Sequence, residues 1–108
     1  MEIRAFLTAD DRSPFADWFD DLAPQSAAKV TVALARMERG NLSNAKSVGG
    51  GVQEYRIDWG PGYRLYFGWD GDTVIILLCG GTKRRQQNDI AEAKMHWAEY
   101  QRRKKQEG

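Results

Sequence analysis

Six side chains in the second half of the sequence have the chemistry to grip a nucleic-acid strand: Arg56, Arg64, Tyr66, Lys83, Arg84 and Arg85. Guanidinium and ammonium groups bind phosphate oxygens and a phenol ring can stack on a base, the combination through which single-stranded RNA is recognised. Lys83, Arg84 and Arg85 are adjacent and stand near the start of a C-terminal helical pattern. There the exposed N–H groups and the dipole favour anions by about 0.3–1 kcal/mol per charge, so three cations break a local rule. Such a break marks either a solvated basic turn or an anion site shared with the helix N-terminus. Arg56 has an alternative of its own, an exposed pairing with Glu54 or Asp58 worth about 0.2–1 kcal/mol.

Other chemistries find less support. One histidine, His96, and one cysteine, Cys79, do not make a His/Cys metal site or a Cys/His nucleophile pair, so no metal or cofactor is expected. The triplet Gly49, Gly50, Gly51 lacks the following Lys-Ser/Thr of a phosphate loop and reads as a flexible lead into a strand. Asp17, Asp20 and Asp21 fall off the apolar stripe of their helix and read as a solvated face. Residues 1–45 carry five Lys/Arg against seven Asp/Glu, and the remainder eleven against eight. This asymmetry is compatible with a polyanion-facing half without arguing for one by charge alone. A lone cysteine in an apolar strand, no apolar run of transmembrane length and no signal-like N-terminus predict a cytoplasmic protein with no membrane contact.

The elements that must position those cations lie mostly between Val48 and Gln87. Gly60-Pro61-Gly62 and Asp70-Gly71-Asp72 favour chain reversal and divide the stretch into three strands of a meander. Alternation puts Tyr55 and Ile57 opposite Glu54, Arg56 and Asp58, and Tyr63, Leu65 and Phe67 opposite Arg64 and Tyr66. Val74–Cys79 is apolar throughout, which predicts a central strand packed on one face and covered by protein or a partner on the other. Glu2–Thr8 alternates as a strand at the sheet edge, with Ile3, Ala5 and Leu7 on one side.

Two helices should cover one face of this sheet. Ser13-Pro14 is an N-cap followed by proline at the first helical position, with Phe15, Trp18, Phe19 and Leu22 at helical spacing. Pro24 opens a second helix to about Arg39, burying Ala27, Val30, Leu34 and Met37 and ending at Gly40. Asn41–Gly51 reads as a loop. A last helix, with a capping-box pattern at Asp89 and Glu92, carries Ile90, Ala93, Trp97 and Tyr100 at helical spacing, then Arg102, Arg103, Lys104 and Lys105 as a solvated basic tail. If the turn keeps an even register, Arg56, Arg64 and Tyr66 share the sheet face that the helical hairpin leaves open, bordered by Lys83 and Arg84. One domain over residues 1–108 accommodates all of this.

Three segments, Gly49–Asp58 (GGGVQEYRID), Gly60–Phe67 (GPGYRLYF) and Ile76–Arg84 (ILLCGGTKR), closely resemble the RelE/ParE toxin superfamily, and within it the HigB-like addiction-module killer proteins. The resemblance implies an α+β fold of order βααβββα: an antiparallel meander with the N-terminal strand at its edge, a helical hairpin on one face and a C-terminal helix. It implies a type II toxin that inhibits translation by ribosome-dependent mRNA cleavage through metal-independent 2′-OH attack. Its implied partners are the ribosome, mRNA and a helix-turn-helix antitoxin in a hetero-oligomer. ParE-like members of the same fold, which poison DNA gyrase without nuclease activity, are the alternative.

By the same resemblance Arg64 matches the arginine of the family's G-Y-R strand and Lys83 or Arg84 its basic pair, as catalytic groups. Arg56 matches a basic position less closely and joins Tyr66 and Arg85 as RNA-binding groups. Where some ribonuclease members have a tyrosine after the basic pair, this sequence has Gln86, Gln87, Asn88 and Asp89, so no residue is assigned to proton transfer. Arginine stays protonated in proteins, which assigns Arg64 and Arg84 to stabilising a pentavalent phosphate.

Overall fold

A computed structural model describes residues 1–107. The Ser13 hydroxyl accepts a hydrogen bond from the Ala16 N–H at 3.0 Å, and Pro14 then opens helix α1, Pro14–Asp20. Helix α2, Pro24–Glu38, is followed by Gly40 at φ +82°, the left-handed conformation that a glycine adopts without strain. The buried residues of α2 are Ser26, Val30, Ala33 and Met37, a stripe rotated slightly from the expected one through Ala27 and Leu34. Val30, Ala33 and Met37, with Phe15, pack on Tyr55, Leu65, Phe67, Ile75 and Leu77, so the hairpin covers the expected face. Each large side chain buried there contributes about 1.5–3 kcal/mol.

The sheet has five strands in the order β1-β5-β4-β3-β2. Strand β1, Glu2–Ala5, runs parallel to β5, Val74–Thr82, at one edge. It is shorter than expected, and Phe6, assigned by alternation to the polar side, is buried on that side at 3% exposure. Strands β3, Val52–Ile57, and β4, Tyr63–Asp70, pair antiparallel with each other, and β4 pairs antiparallel with β5. Both reversals lie where the glycines placed them, with Gly60, Gly62 and Gly71 all at positive φ.

Two expectations are corrected. Asn41–Gly51 is not all loop: Ala45–Gly49 forms β2, antiparallel to β3. Gly49, Gly50 and Gly51 at φ +94°, +63° and +83° make the reversal between them, so the glycine run is a hairpin turn. Nor is the second sheet face open, because helix α3, Gln86–Glu107, lies across it. Trp97 and Ala93 pack with Phe6, Val52, Tyr66, Ile76, Leu78 and Cys79, and the expected stripe of Ile90, Ala93, Trp97 and Tyr100 is the one used. Gly68 makes this possible, since a Cβ there would meet the Trp97 indole at 2.6 Å.

The end of α3 is also tied down. Arg103 Nη1 donates to the Leu7 carbonyl at 2.6 Å and its guanidinium lies 5.2 Å from the centre of the Phe6 ring. Lys104 pairs with Asp70 at 3.0 Å, and Arg102 pairs with Glu99. Three of the four cations expected to be a solvated tail thus make contacts that hold the helix to the sheet or to itself. His96 is a helix residue whose ring stacks on Phe6 at 4.9 Å.

Candidate functional site

The β3–β4 register decides where the cations go. Arg56 and Arg64 are direct cross-strand partners, and so are Glu54 and Tyr66. All four side chains therefore project to the α3 side of the sheet, as even register requires. Two arginines directly opposite each other repel. The fully buried Glu54 beneath them offsets that repulsion: its Oε1 lies 3.1 Å from Arg56 Nε and 4.0 Å from Arg64 Nε. On its other oxygen, Oε2 accepts from Tyr66 OH at 3.1 Å and from Gln86 Nε2 at 2.7 Å.

Burial alone would raise the Glu54 carboxyl, but donation from Gln86, Arg56 and Tyr66 and the Arg64 charge outweigh it and hold it below the ordinary carboxylate range. The Tyr66 phenol moves the other way, pushed well up by burial and then by the Glu54 charge. Gln86 is the first residue of α3, so the contact also docks the helix start onto the strand pair. A 3₁₀ turn, Lys83–Arg85, precedes it, and the Lys83 N–H donates to the Gly62 carbonyl at 2.8 Å. That bond seats Lys83 beside the Gly60–Gly62 turn.

The result is an open cleft of about 570 Å³, lined by Arg56, Arg64, Lys83 and Gln86 together with Asp58, Trp59 and the Gly60–Gly62 turn. Arg64 is 4% exposed, and its Nε and Nη1 have no hydrogen-bond partner among the described residues. A guanidinium desolvated with donors unpaired is costly unless an anion completes it. Arg64 lines the cleft, and the nearest carboxylate oxygen, Glu54 Oε1, stands 4.0 Å from its Nε.

The six cationic and aromatic side chains singled out in the sequence are distributed unequally. Arg56, Arg64 and Lys83 meet in the cleft. Tyr66 is fully buried beneath α3, where its ring is not presented to a base and its hydroxyl is committed to Glu54. Arg84 is exposed on the 3₁₀ turn, outside the cleft lining. Arg85 faces a second hollow, with its Nε 4.0 Å from Asp89 Oδ1. Asp89 is itself a correction: the expected capping-box residue sits within α3, which begins three residues earlier, and is buried against Gly81.

Sequence reasoning missed Glu54 as an organising group, having weighed it only as an exposed partner for Arg56, and it missed Gln86 and Trp59. Parity carried a signal for Glu54, an acid inside the strand on the face of two arginines. No comparable signal marked Gln86, whose role depends on where α3 crosses the sheet.

A family model described as Phage derived protein Gp49-like (DUF891) matches residues 17–103, a span that contains every residue of the cleft. The chain belongs to the Gp49-like family. That family is toxin-like and related to toxins of the RelE and HigB type, which suggests an antitoxin partner for its members. An uncharacterized protein of Haemophilus influenzae is 42% identical to this Gp49-like chain over 96 residues, covering 88% of this chain and 91% of the relative. No helix among the described residues of the Gp49-like chain is long and apolar enough to cross a membrane.

Proposed function

We propose that this chain is a HigB-like toxin of a type II toxin-antitoxin pair, acting in the cytoplasm as one RelE-like domain and stopping translation by cutting mRNA on the ribosome. The observation that carries the reading is Arg64, a buried guanidinium with unpaired donors in a cleft shared with Arg56 and Lys83. A backbone phosphate of single-stranded RNA supplies the oxygens such a site lacks.

In the proposed reaction the ribose 2′-oxygen attacks the adjacent phosphorus, the P–O2′ bond forms and the P–O5′ bond breaks. The products are a 2′,3′-cyclic phosphate and a 5′-hydroxyl. Arg64 and Lys83 stabilise charge on the pentavalent phosphorus, and Arg56 steadies the flanking phosphate. Arg84 and Arg85 supply positive potential along the strand's approach. Glu54 is a positioning residue: buried and held ionised, it keeps the guanidiniums in place and is not offered to substrate. The 2′-OH proton leaves, and one returns to the leaving 5′-oxygen, at the open mouth of the cleft, where Asp58 and Lys83 are exposed. No step needs a metal ion. A helix-turn-helix antitoxin that covers the cleft, or wedges against α1 and α2, would silence the toxin.

Induced expression tests this. The wild-type chain should arrest growth and leave new mRNA 5′ ends, while Arg64→Ala and Lys83→Ala should each lose both effects and still accumulate as folded protein. Full toxicity of both variants, or growth arrest with intact mRNA and damaged DNA, would overturn the reading.

A further inference from the structure

The phosphate cleft does not end at Arg56. Arg56, Asp58 and Trp59 also line a separate hollow of about 250 Å³ between α2 and the end of β3, distinct from the one beside Arg85. Its lining includes Val32, Ile57, Trp59 and Asn44, and the α2 cations Lys29 and Arg36. Trp59 lines both spaces; its ring stacks on Tyr63 at 6.3 Å and Lys29 Nζ lies 5.5 Å from its centre. Lys29, Val32 and Arg36 are all exposed, so this part of the lining is free to receive a ligand.

We infer that this hollow is a nucleobase pocket, which takes the unstacked base flanking the phosphate held by Arg64. Val32, Ile57 and Trp59 in a hollow of this size suit a flat heterocycle. An amide offers both a donor and an acceptor to a base edge, and exposed cations suit the next phosphate. The shared wall with the cleft means that one strand can occupy both without leaving the surface. Lys29, Arg36 and Arg56 outnumber Asp58 among the charged groups of the lining, which does not suit a basic protein segment. Asn44 is then a specificity-determining residue, and Val32 sets the depth of the pocket.

The inference rests on the RNA reading above, and binding to an uncleavable probe separates the two. Fluorescence anisotropy at low salt would follow hexamer RNAs made uncleavable by 2′-O-methyl groups, with an abasic sugar moved along the strand. Removal of one particular base should weaken wild-type binding roughly 5- to 150-fold, the range that loss of a stacked base implies. Val32→Phe, which fills the pocket, and Asn44→Ala should erase that position's advantage, whereas Arg64→Ala should weaken every hexamer alike. If abasic positions behave identically in wild type, Val32→Phe and Asn44→Ala while Arg64→Ala still weakens binding, the pocket inference is wrong and the cleft stands. Should those two variants bind RNA normally but lose binding to the antitoxin, the hollow is a protein contact and the inference is also wrong. Indifference of all hexamers to Arg64→Ala would remove both readings together.

Discussion

Glu54 and Asp89 are both buried carboxylates on the α3 side of the sheet, one on each side of the Lys83–Arg85 turn, yet they are handled in opposite ways. Glu54 has four partners, and its charge is held at a pKa below the ordinary range. Asp89 is pressed against Gly81 with Oδ2 unpartnered among the described residues. Burial raises its carboxyl against the weak pull of Arg85, and Glu92 adds to the rise. Burial sets the cost of a charge, and the partners decide whether the charge is kept. The charge is kept where the two guanidiniums of the cleft depend on it.

The largest effect should come from breaking the kept charge. Glu54→Ala should cost about 3–5 kcal/mol, because it leaves Arg64 desolvated with its counter-ion removed. Urea unfolding checks this, and a loss below about 1 kcal/mol would mean that the Glu54 cluster is not cooperative. Next in size, Gly81→Ala should cost about 1–3 kcal/mol by overpacking, since its methyl group would occupy the space of the Asp89 carboxylate. A neutral outcome in thermal unfolding would show that Asp89 moves aside freely.

Asp89→Asn should be nearly neutral near pH 7, within about 1 kcal/mol, in contrast to the same amide swap at Glu54. A comparable loss for the two amide variants would erase the distinction. The smallest effect, and the one with opposite signs, is in pH. Because its folded pKa is lowered, Glu54 contributes stability that is present above its unfolded pKa and is lost as pH falls through the lower folded one. Asp89, with a raised folded pKa, contributes below its unfolded pKa and loses that contribution as pH rises through the folded one. The Glu54→Gln deficit should therefore shrink in acid, while the Asp89→Asn protein should gain on wild type as pH rises from the acid side through Asp89's raised pKa. Parallel pH profiles for the two variants would contradict the assignment.

Much of the fold was legible because period and turn chemistry are local. Gly60, Gly62 and Gly71 marked the reversals, Ser13-Pro14 marked α1, and strand parity put Arg56 and Arg64 on one face. Non-local covering was harder to read. Alternation assigned Phe6 and Tyr66 to an outward side, but α3 returns across that side and buries both. A period-2 pattern says which residues share a face and not whether the face is wet. The short β2 was hidden because the three glycines at its end read as slack, whereas their positive φ values turn the chain back on itself. The candidate cleft was half legible for the same reason: its arginines followed from parity, but Gln86 and Trp59 enter only through the crossing of α3 and the shape of a turn.

The central claim is that the Glu54-braced guanidiniums of the cleft hold a phosphate for attack by its own neighbouring 2′-oxygen. Single-turnover cleavage on programmed ribosomes tests it most directly, comparing an all-ribose mRNA with one carrying a single 2′-deoxy sugar at the cut position. The account predicts cleavage of the first to a 2′,3′-cyclic phosphate and a 5′-hydroxyl, with the second left intact at that site. Equal cutting of both strands, or of neither, would contradict it.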